Sequence, residues 1–195
     1  MKCFFHSIDL DGQCSAAIVR YASPETVCIG LNYGDAFPWE LVTPLETVYL
    51  VDLSLPDTEM RILNNCARLH WIDHHGRRIH ELESAGFEAS GGSLLSYDHE
   101  AACELTWKYS MPGIDMPDAV ALLGRYHAWD MSNSGRWDEY ILPFNHACRG
   151  YNPDPHNDEL WRVLLSGGSE AGDLVANMIH EGRIILRNLR MANEH

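Results

Sequence analysis

Histidine and aspartate residues are concentrated in three short segments, HSIDLDG at 6–12, VDLS at 51–54 and DHHG at 73–76. The candidate ligands in these segments are His6, Asp9, Asp11, Asp52, Asp73, His74 and His75. Carboxylate oxygens and imidazole nitrogens bind divalent cations such as Mn²⁺ and Mg²⁺. Two such cations side by side activate water for hydrolysis. The residue types therefore allow metal-assisted hydrolysis if the three segments meet in space.

Each segment also has an ordinary explanation when it is taken alone. Asp11 and Gly12 form a common turn dipeptide, and Asp52 is well placed to begin a turn before a helix. His74 and His75 are compatible with surface residues at a strand end. Together, however, so many carboxylates and imidazoles at one edge would be poorly solvated unless divalent ions neutralised them. The combination predicts a metal site.

The three segments follow stretches that predict β-strands. Short runs rich in β-branched and aromatic residues predict buried strands at 2–6, 26–31, 47–52 and 68–73. Helical spacing is found at 15–22 and 57–67, with Asp57 or Thr58 placed to cap the second helix. This order implies a largely parallel sheet, whose ligands gather beyond the carboxyl ends of the strands. Because three of the four strands end in His or Asp, we expect one shared site.

The second half of the chain predicts mainly helices. Helical segments are predicted at 100–110, 118–129, 158–166 and 170–190. We therefore predict an α/β fold over 1–195 as a single domain, with a mostly parallel sheet of about five strands, helices on both faces and a helical C-terminal half. The Trp, Tyr and Met residues of ACELTWKYSM and LLGRYHAWDM are expected to pack in the core or between helices rather than to form a platform for bases.

Composition excludes several classes of function. The chain of 195 residues has a formal net charge of -14, which disfavours binding to long duplex nucleic acid. No apolar run approaches the roughly 20 residues of a membrane span, and the N-terminus does not resemble a secretory signal. Six cysteines without a C-x-x-C pair are expected to be reduced thiols. We expect a cytoplasmic protein without membrane contact.

The ordered motifs HSIDLDG, VDLS and DHHG resemble those of the DHH phosphoesterase superfamily. This superfamily includes single-strand exonucleases, phosphodiesterases of short oligonucleotides and cyclic dinucleotides, and manganese-dependent pyrophosphatases. The later segments AACELTW and GRYHAWD are similar to a phosphohydrolase branch of it. The resemblance implies a metal-dependent phosphoesterase that hydrolyses phosphodiester bonds of short oligonucleotides or small nucleotides.

The resemblance also implies a set of metal ligands for two Mn²⁺ ions, with Mg²⁺, Co²⁺ or Zn²⁺ as alternatives. One ion would be held by His6, Asp9 and Asp52. The other would be held by Asp11, Asp52, His74 and His127. Asp52 would thus bridge the two ions, as the shared carboxylate of a two-metal site does.

The same resemblance implies that residues in and after the DHHG motif contact the substrate or orient residues that do. His75 corresponds to a substrate-facing histidine that donates a hydrogen bond to phosphate or a proton to the leaving oxygen. Asp73 would orient the histidines. Arg77 and Arg78 would contact substrate phosphates, although a solvated arginine pair explains them equally well.

The sequence departs from the family pattern at two places. Relatives usually have aspartate where this chain has His127, so Asp130 is an alternative ligand. Many relatives also continue into a C-terminal substrate-binding domain with a glycine-rich segment and a histidine. This chain has only SGGSE at 166–170, which predicts a stand-alone or truncated catalytic domain.

Parts of the sequence also suggest other functions. A haloacid-dehalogenase-like phosphatase would explain DLDG but needs a catalytic lysine, and Lys108 fits that role poorly. An EF-hand loop starting at Asp9 would place Arg20 where glutamate is required. A manganese-dependent phosphoanhydride hydrolase and a non-enzymatic, metal-stabilised binding or regulatory module stay open, as does a homodimer.

Overall fold

The chain folds around a five-stranded sheet in which every adjacent pair of strands is parallel. The computed structural model describes residues 1–97, 100–131 and 134–193. The strands are β1 (Lys2–His6), β2 (Val27–Leu31), β3 (Thr47–Val51), β4 (Arg68–Asp73) and β5 (Gly92–Leu95). Their spatial order is β2-β1-β3-β4-β5. The predicted α/β class and largely parallel sheet are confirmed.

Helices connect the strands and form the C-terminal half. Those among the strands are α1 (Leu10–Ala22), α2 (Asp57–Cys66) and α3 (Gly76–Ser84). Those that follow are α4 (Ala102–Ser110), α5 (Asp118–His127), α6 (Ser134–Arg136), α7 (Leu142–Cys148), α8 (Asp158–Leu164) and α9 (Ser169–Asn193). A π-helical turn at Trp137–Ile141 joins α6 to α7. The helical C-terminal half is confirmed.

Alternating side chains of the strands pack against different helical layers. Phe4 and Trp71 belong to the core under α2 and α3. Phe5 and Ile72 belong to the core that also contains residues of α1 and α4. This alternation follows from the pleat of a β-strand, and it confirms that Trp71 and Ile72 face opposite layers. The sheet is therefore covered on both faces.

Close packing fixes the long helix α9 against α7. A Cβ atom at Gly182 would lie 1.9 Å from the carbonyl oxygen of Pro143. Only glycine allows the two helices to approach this closely. None of the helices in the described part of the chain is long and apolar enough to cross a membrane.

Several details differ from the sequence-based expectations. Helix α1 begins at Leu10, five residues before the predicted segment, and α7 was not predicted. The strand β5 lies in GFEASGGSLLS, where no strand was placed, and α3 was not predicted. Helix α2 has Pro56 at its N-cap and no side-chain cap, so the capping role expected for Asp57 or Thr58 is wrong. Helix α5 ends at His127, two residues before the predicted end.

The aromatic residues of the second half are only partly core residues. Trp107 is buried, as expected, and so are Trp137 and Trp161, for which no prediction was made. Trp129 and Met131 are 69% and 55% exposed, so neither is a core residue, although the ring of Trp129 stacks on the rings of Tyr126 and Trp137. Trp129 has a φ of 51°, in the left-handed region, just after α5 ends. The chain turns there, and the turn carries both side chains outward.

Candidate metal site

The predicted ligands meet at the carboxyl edge of three neighbouring strands. Strand β1 ends at His6, β4 ends at Asp73, and Asp52 directly follows β3, which lies between them. The chain leaves β1 toward β2 on one side, while β3 lies on the other side. Such a change of direction opens a crevice between the connecting loops. The site lies at the expected edge of the sheet.

Asp52 is the central residue of this cluster. Its side chain is 1% exposed, and its φ of 52° lies in a left-handed region that aspartate tolerates better than most residues. The Oδ1 atom lies 3.2 Å from Nε2 of His74 and 3.8 Å from Nδ1 of His75. The Oδ2 atom lies 3.7 Å from Nδ1 of His6. One buried carboxylate thus faces three imidazoles.

Two groups of potential ligands share this carboxylate. One consists of His6, Asp9 and Asp52, and the other of Asp52, His74 and His75. Within each group, the ligand atoms lie within 4.8 Å of one another. The first group contains the same residues that the resemblance assigns to one ion. The second differs from the expected set because it contains His75 and lacks both Asp11 and His127.

Several polar atoms of the cluster are buried without a hydrogen bond. These atoms are Oδ1 of Asp52, Nδ1 of His6 and Nε2 of His127. His74 is near Asp52, but the two side chains are not aligned for a hydrogen bond that would satisfy Oδ1. Buried polar atoms normally have partners, and those without one mark places where an ion or water belongs. The donor set of oxygen and imidazole nitrogen fits Mn²⁺ or a similar divalent cation.

Electrostatic attraction makes the histidines of the cluster basic. The neighbouring carboxylates of Asp52 and Asp9 raise the pKa of His6 to about 10. Burial acts to lower the pKa of His74, but the carboxylates of Asp52 and Asp11 outweigh it and raise this pKa to about 9. Without metal, protonated imidazoles therefore balance the buried carboxylates. A divalent cation would replace these protons.

Asp9 and Asp11 are held by the helices that begin beside the site. Oδ1 of Asp9 accepts hydrogen bonds from the backbone N–H groups of Asp11 and Gly12 and so caps α1. Its Oδ2 lies 3.4 Å from Nδ1 of His6. A Cβ atom at Gly12 would lie 1.9 Å from the carbonyl oxygen of His6, so glycine is required for α1 to start this close to β1.

Asp11 reaches across to the N-terminus of α4. Its oxygens accept hydrogen bonds from the backbone N–H groups of Ala102 at 3.0 Å and Cys103 at 2.7 Å. Oδ2 also lies 3.3 Å from Nε2 of His74. Burial and the negative charge of Asp52 raise the pKa of Asp11. Asp11 therefore joins the candidate site to the second half of the chain.

A buried hydrogen-bond network orients His75. Oδ1 of Asp73 accepts hydrogen bonds from the backbone N–H groups of His74 and His75 and lies 2.7 Å from Nδ1 of His75. Its Oδ2 accepts a hydrogen bond from the hydroxyl of Ser54 at 2.5 Å, and that hydroxyl accepts one from Nε1 of Trp71. The position of Asp73 agrees with its predicted orienting role. The contributions of Ser54 and Trp71 were not predicted, although Ser54 stands in the VDLS motif.

His127, at the end of α5, lies near the same carboxylates. Burial acts to raise the pKa of Asp9 and of Asp11, and the proximity of His127 acts to lower the pKa at both residues. Its buried Nε2 has no hydrogen-bond partner. The alternative ligand, Asp130, instead pairs with Nη1 of Arg125 at 3.0 Å. The arrangement favours His127 as the residue that would contact an ion.

The end of α5, where His127 lies, is held by neighbouring residues that the sequence analysis did not single out. Arg125 lies 3.7 Å from the buried carboxylate of Glu104 on α4 and also holds Asp130. A Cβ atom at Gly124 would lie 2.4 Å from Cγ of Glu104, so α4 and α5 pack closely here. Residues of AACELTW and GRYHAWD thus contact one another, and this contact fixes the end of α5.

Arg77 and Arg78 lie beside His75 but are already engaged with a carboxylate. Both donate hydrogen bonds to Glu81 on α3, and Arg78 also donates one to the carbonyl oxygen of Leu55. The side chain of Arg77 is 94% exposed. Substrate binding by these residues stays a prediction, and the contacts of Arg78 point to a structural role.

A cleft of about 850 Å³ begins at His75 and extends away from the metal cluster. Its walls come from the loops after β2 and β3 and from α3, and His75 connects it to the cluster. Tyr33 lines the cleft, and its ring centroid lies 5.2 Å from that of His6 and 5.7 Å from that of His75. The sequence analysis missed Tyr33. Its position just after β2, at the sheet edge where the candidate ligands lie, could have indicated this residue.

Comparison with known proteins gives the fold and no function. No family model and no curated protein matches the chain. A crystal structure of an uncharacterized protein from Helicobacter pylori G27 matches 94% of this chain with a TM-score of 0.52 and 15% sequence identity. This chain covers 62% of the length of that protein. At this identity, the similarity shows a shared fold alone.

Proposed function

We propose that the chain is a divalent-metal phosphoesterase that hydrolyses phosphodiester bonds in short oligonucleotides or small nucleotides. The observation that carries this proposal is the position of Asp52, a buried carboxylate shared by two groups of potential ligands. A shared carboxylate between two ligand sets is the arrangement that a pair of catalytic cations requires. The motifs that resemble those of DHH phosphoesterases supply these same residues.

The residues assigned to the two ions follow the resemblance, and the observed groups contain all of the first set and Asp52 and His74 of the second. His6, Asp9 and Asp52 would hold one ion. Asp11, Asp52, His74 and His127 would hold the other. When bound, such a pair of cations polarises phosphoryl oxygens and lowers the pKa of water enough to provide a nucleophile near neutral pH.

The chain's own residues position and protonate the substrate. His75 stands between the cluster and the cleft, and its Nδ1 is engaged by buried Asp73. The other ring nitrogen, Nε2, is left to donate a hydrogen bond to phosphate or a proton to the leaving oxygen. Its raised pKa, caused mainly by the contact with Asp73, favours the protonated form that this role needs.

The lining of the cleft favours an organic phosphodiester over pyrophosphate. Pyrophosphate has no apolar part, whereas the cleft next to His75 is lined by Leu31, Leu53, Leu55 and Pro56. A non-enzymatic binding module is compatible with the cleft, and the absence of hydrolysis would distinguish it from an enzyme. The acidic chain disfavours a long duplex as substrate.

Metal analysis and a substrate screen test the proposal. Purified protein is incubated with Mn²⁺, its metal content is measured by mass spectrometry, and it is assayed against short oligonucleotides, cyclic dinucleotides, pyrophosphate and a chromogenic phosphodiester. We expect bound manganese and hydrolysis of short phosphodiesters. Asp52→Asn should lose both, while the matched control Asp57→Asn, at an exposed site on α2, should keep both.

Three results would overturn the proposal. Cleavage of pyrophosphate alone would select the phosphoanhydride hydrolase. Bound metal without hydrolysis of any substrate, or hydrolysis that Asp52→Asn leaves intact, would exclude catalysis by this cluster.

A further inference from the structure

We propose that the cleft beside the cluster binds a nucleoside whose base stacks on the ring of Tyr33. This inference rests on the proposed function, because it assumes that the phosphate of the same ligand lies at the metal cluster. The nucleoside attached to the scissile phosphate would then place its planar, uncharged base in the cleft. Tyr33 is then a specificity-determining residue.

The position of Tyr33 couples the cleft to both groups of ligands. Its ring contacts His6, which belongs to one group, and His75, which belongs to the other. The interplanar angles of 55° and 76° show that neither imidazole is stacked face to face on the tyrosine. Tyr33 is still 53% exposed, which leaves ring surface for a ligand. An aromatic face of this kind is a sequence-tolerant platform for bases.

The charge of the cleft wall selects a neutral group rather than a further phosphate. Among the residues that line the cleft, the carboxylates are Asp35, Glu59 and Glu81, and the cationic side chains are Arg77, Arg78 and protonated His75. Both arginines already pair with Glu81, and His75 pairs with Asp73. A second phosphate in the cleft would therefore have to compete with these carboxylates for the cationic side chains. The uncharged part of a nucleotide does not need a cationic partner.

The size and lining of the cleft agree with such a ligand. A volume of about 850 Å³ lies within the usual range for small-molecule sites. Leu31, Leu53, Leu55 and Pro56 supply apolar lining, and Asn32 and Ser54 add uncharged polar groups. Mostly apolar walls with a few polar groups are typical of sites that bind a planar heterocycle.

A pair of ligands that differ only in the base tests the inference. Binding of adenosine 5′-monophosphate and of ribose 5-phosphate is measured by calorimetry with the manganese-loaded protein. We expect the nucleotide to bind about 10- to 100-fold more tightly, the range that one stacked base provides. Tyr33→Leu should reduce this ratio to near one and leave the affinity for ribose 5-phosphate unchanged.

Two control variants separate stacking from other effects. Tyr33→Phe keeps the ring and removes the hydroxyl, so it should preserve the ratio. Tyr140→Leu removes a tyrosine that is 44% exposed and lies outside the cleft, next to Arg183, and it should also preserve the ratio.

The outcomes distinguish this inference from the proposed function. Equal affinities for the two ligands in the native protein, or a ratio unchanged by Tyr33→Leu, would exclude the base site while phosphate binding stands. A loss of affinity for ribose 5-phosphate in Tyr33→Leu would show that the ring supports the cluster instead. Failure of both ligands to bind the manganese-loaded native protein would overturn both proposals.

Discussion

Nδ1 of His75 lies 2.7 Å from Oδ1 of Asp73, and the carboxylate in this contact is fully buried. The other oxygen of Asp73 accepts the hydroxyl hydrogen of Ser54, so the orientation of His75 depends on a residue 21 positions earlier in the chain. A histidine whose Nδ1 contacts a buried carboxylate has a fixed ring orientation and a defined tautomer.

Replacing Ser54 should therefore impair His75 without removing a metal ligand. In Ser54→Ala, Asp73 loses a donor and Nε1 of Trp71 loses its acceptor, which leaves buried polar atoms unpaired at a cost of about 1–3 kcal/mol. We expect lower stability, reduced turnover and a shifted pH profile with unchanged manganese content. Unchanged turnover would exclude the network from catalysis, and Ser166→Ala is the exposed control.

His75→Ala should separate catalysis from metal binding. His74 remains to hold the ion, so we expect manganese content to stay near the native level while turnover falls by about 10²-fold or more. The measurements are metal analysis and steady-state kinetics on the same preparation. Full activity would remove His75 from the catalytic residues, and loss of metal would show that it is a ligand, as its membership in one ligand group allows.

Asp52→Asn should be a cleaner probe of the cluster than Asp52→Ala. The φ of 52° costs an ordinary residue about 1–2 kcal/mol, but asparagine tolerates it. Both variants should lose manganese binding, because the shared carboxylate is gone. We expect Asp52→Ala to unfold at a lower temperature than Asp52→Asn in the presence of EDTA. Equal unfolding temperatures would show that backbone conformation contributes little here.

The stability of the metal-free protein should fall as pH rises. The pKa of His6 is raised to about 10 and that of His74 to about 9, both above the ordinary value of 6.5. A group whose folded pKa is raised stabilises the fold fully below its unfolded pKa, and this contribution is lost as pH rises through the folded pKa. The groups facing these histidines are Asp9, Asp11 and Asp52.

Thermal unfolding in EDTA and in saturating Mn²⁺ under argon measures this dependence. In EDTA, we expect the unfolding temperature to fall progressively between about pH 6.5 and 10, the range between the ordinary pKa of histidine and the raised pKa of His6. With Mn²⁺, the decline should be smaller, because the cation takes the place of the protons. Parallel curves under both conditions would contradict a role for these histidines as ligands.

The sequence predicted which side chains meet at the sheet edge better than it predicted the elements around them. Strands that end in His6 and Asp73, with Asp52 one residue beyond β3, were enough to place the ligands together, because parallel strands end at one edge. Strand β5 was missed because GSLL is short and glycine-containing. Helix α3 was missed because its first residues, Gly76 and Arg77, gave no capping signal.

Long-range contacts lay beyond what the pattern could reveal. The hydrogen bonds from Ala102 and Cys103 to Asp11 span about 90 positions of sequence, and the residues around Asp11 do not predict them. The same holds for the contact of Arg125 with Glu104. These contacts depend on how the helical half packs on the sheet, which local periodicity does not determine.

His127 provides the sharpest test of the ligand assignment. Its buried Nε2 is unpaired near Asp9 and Asp11, whereas Asp130 is engaged by Arg125. His127→Asp adds a negative charge to a site that holds cations, so we expect tighter Mn²⁺ binding and a weaker preference for Co²⁺ or Zn²⁺, which favour nitrogen ligands. Asp130→Ala should change Mn²⁺ affinity much less. Calorimetric titration of both variants decides, and a large loss in Asp130→Ala with no effect at His127 would transfer the ligand role to Asp130.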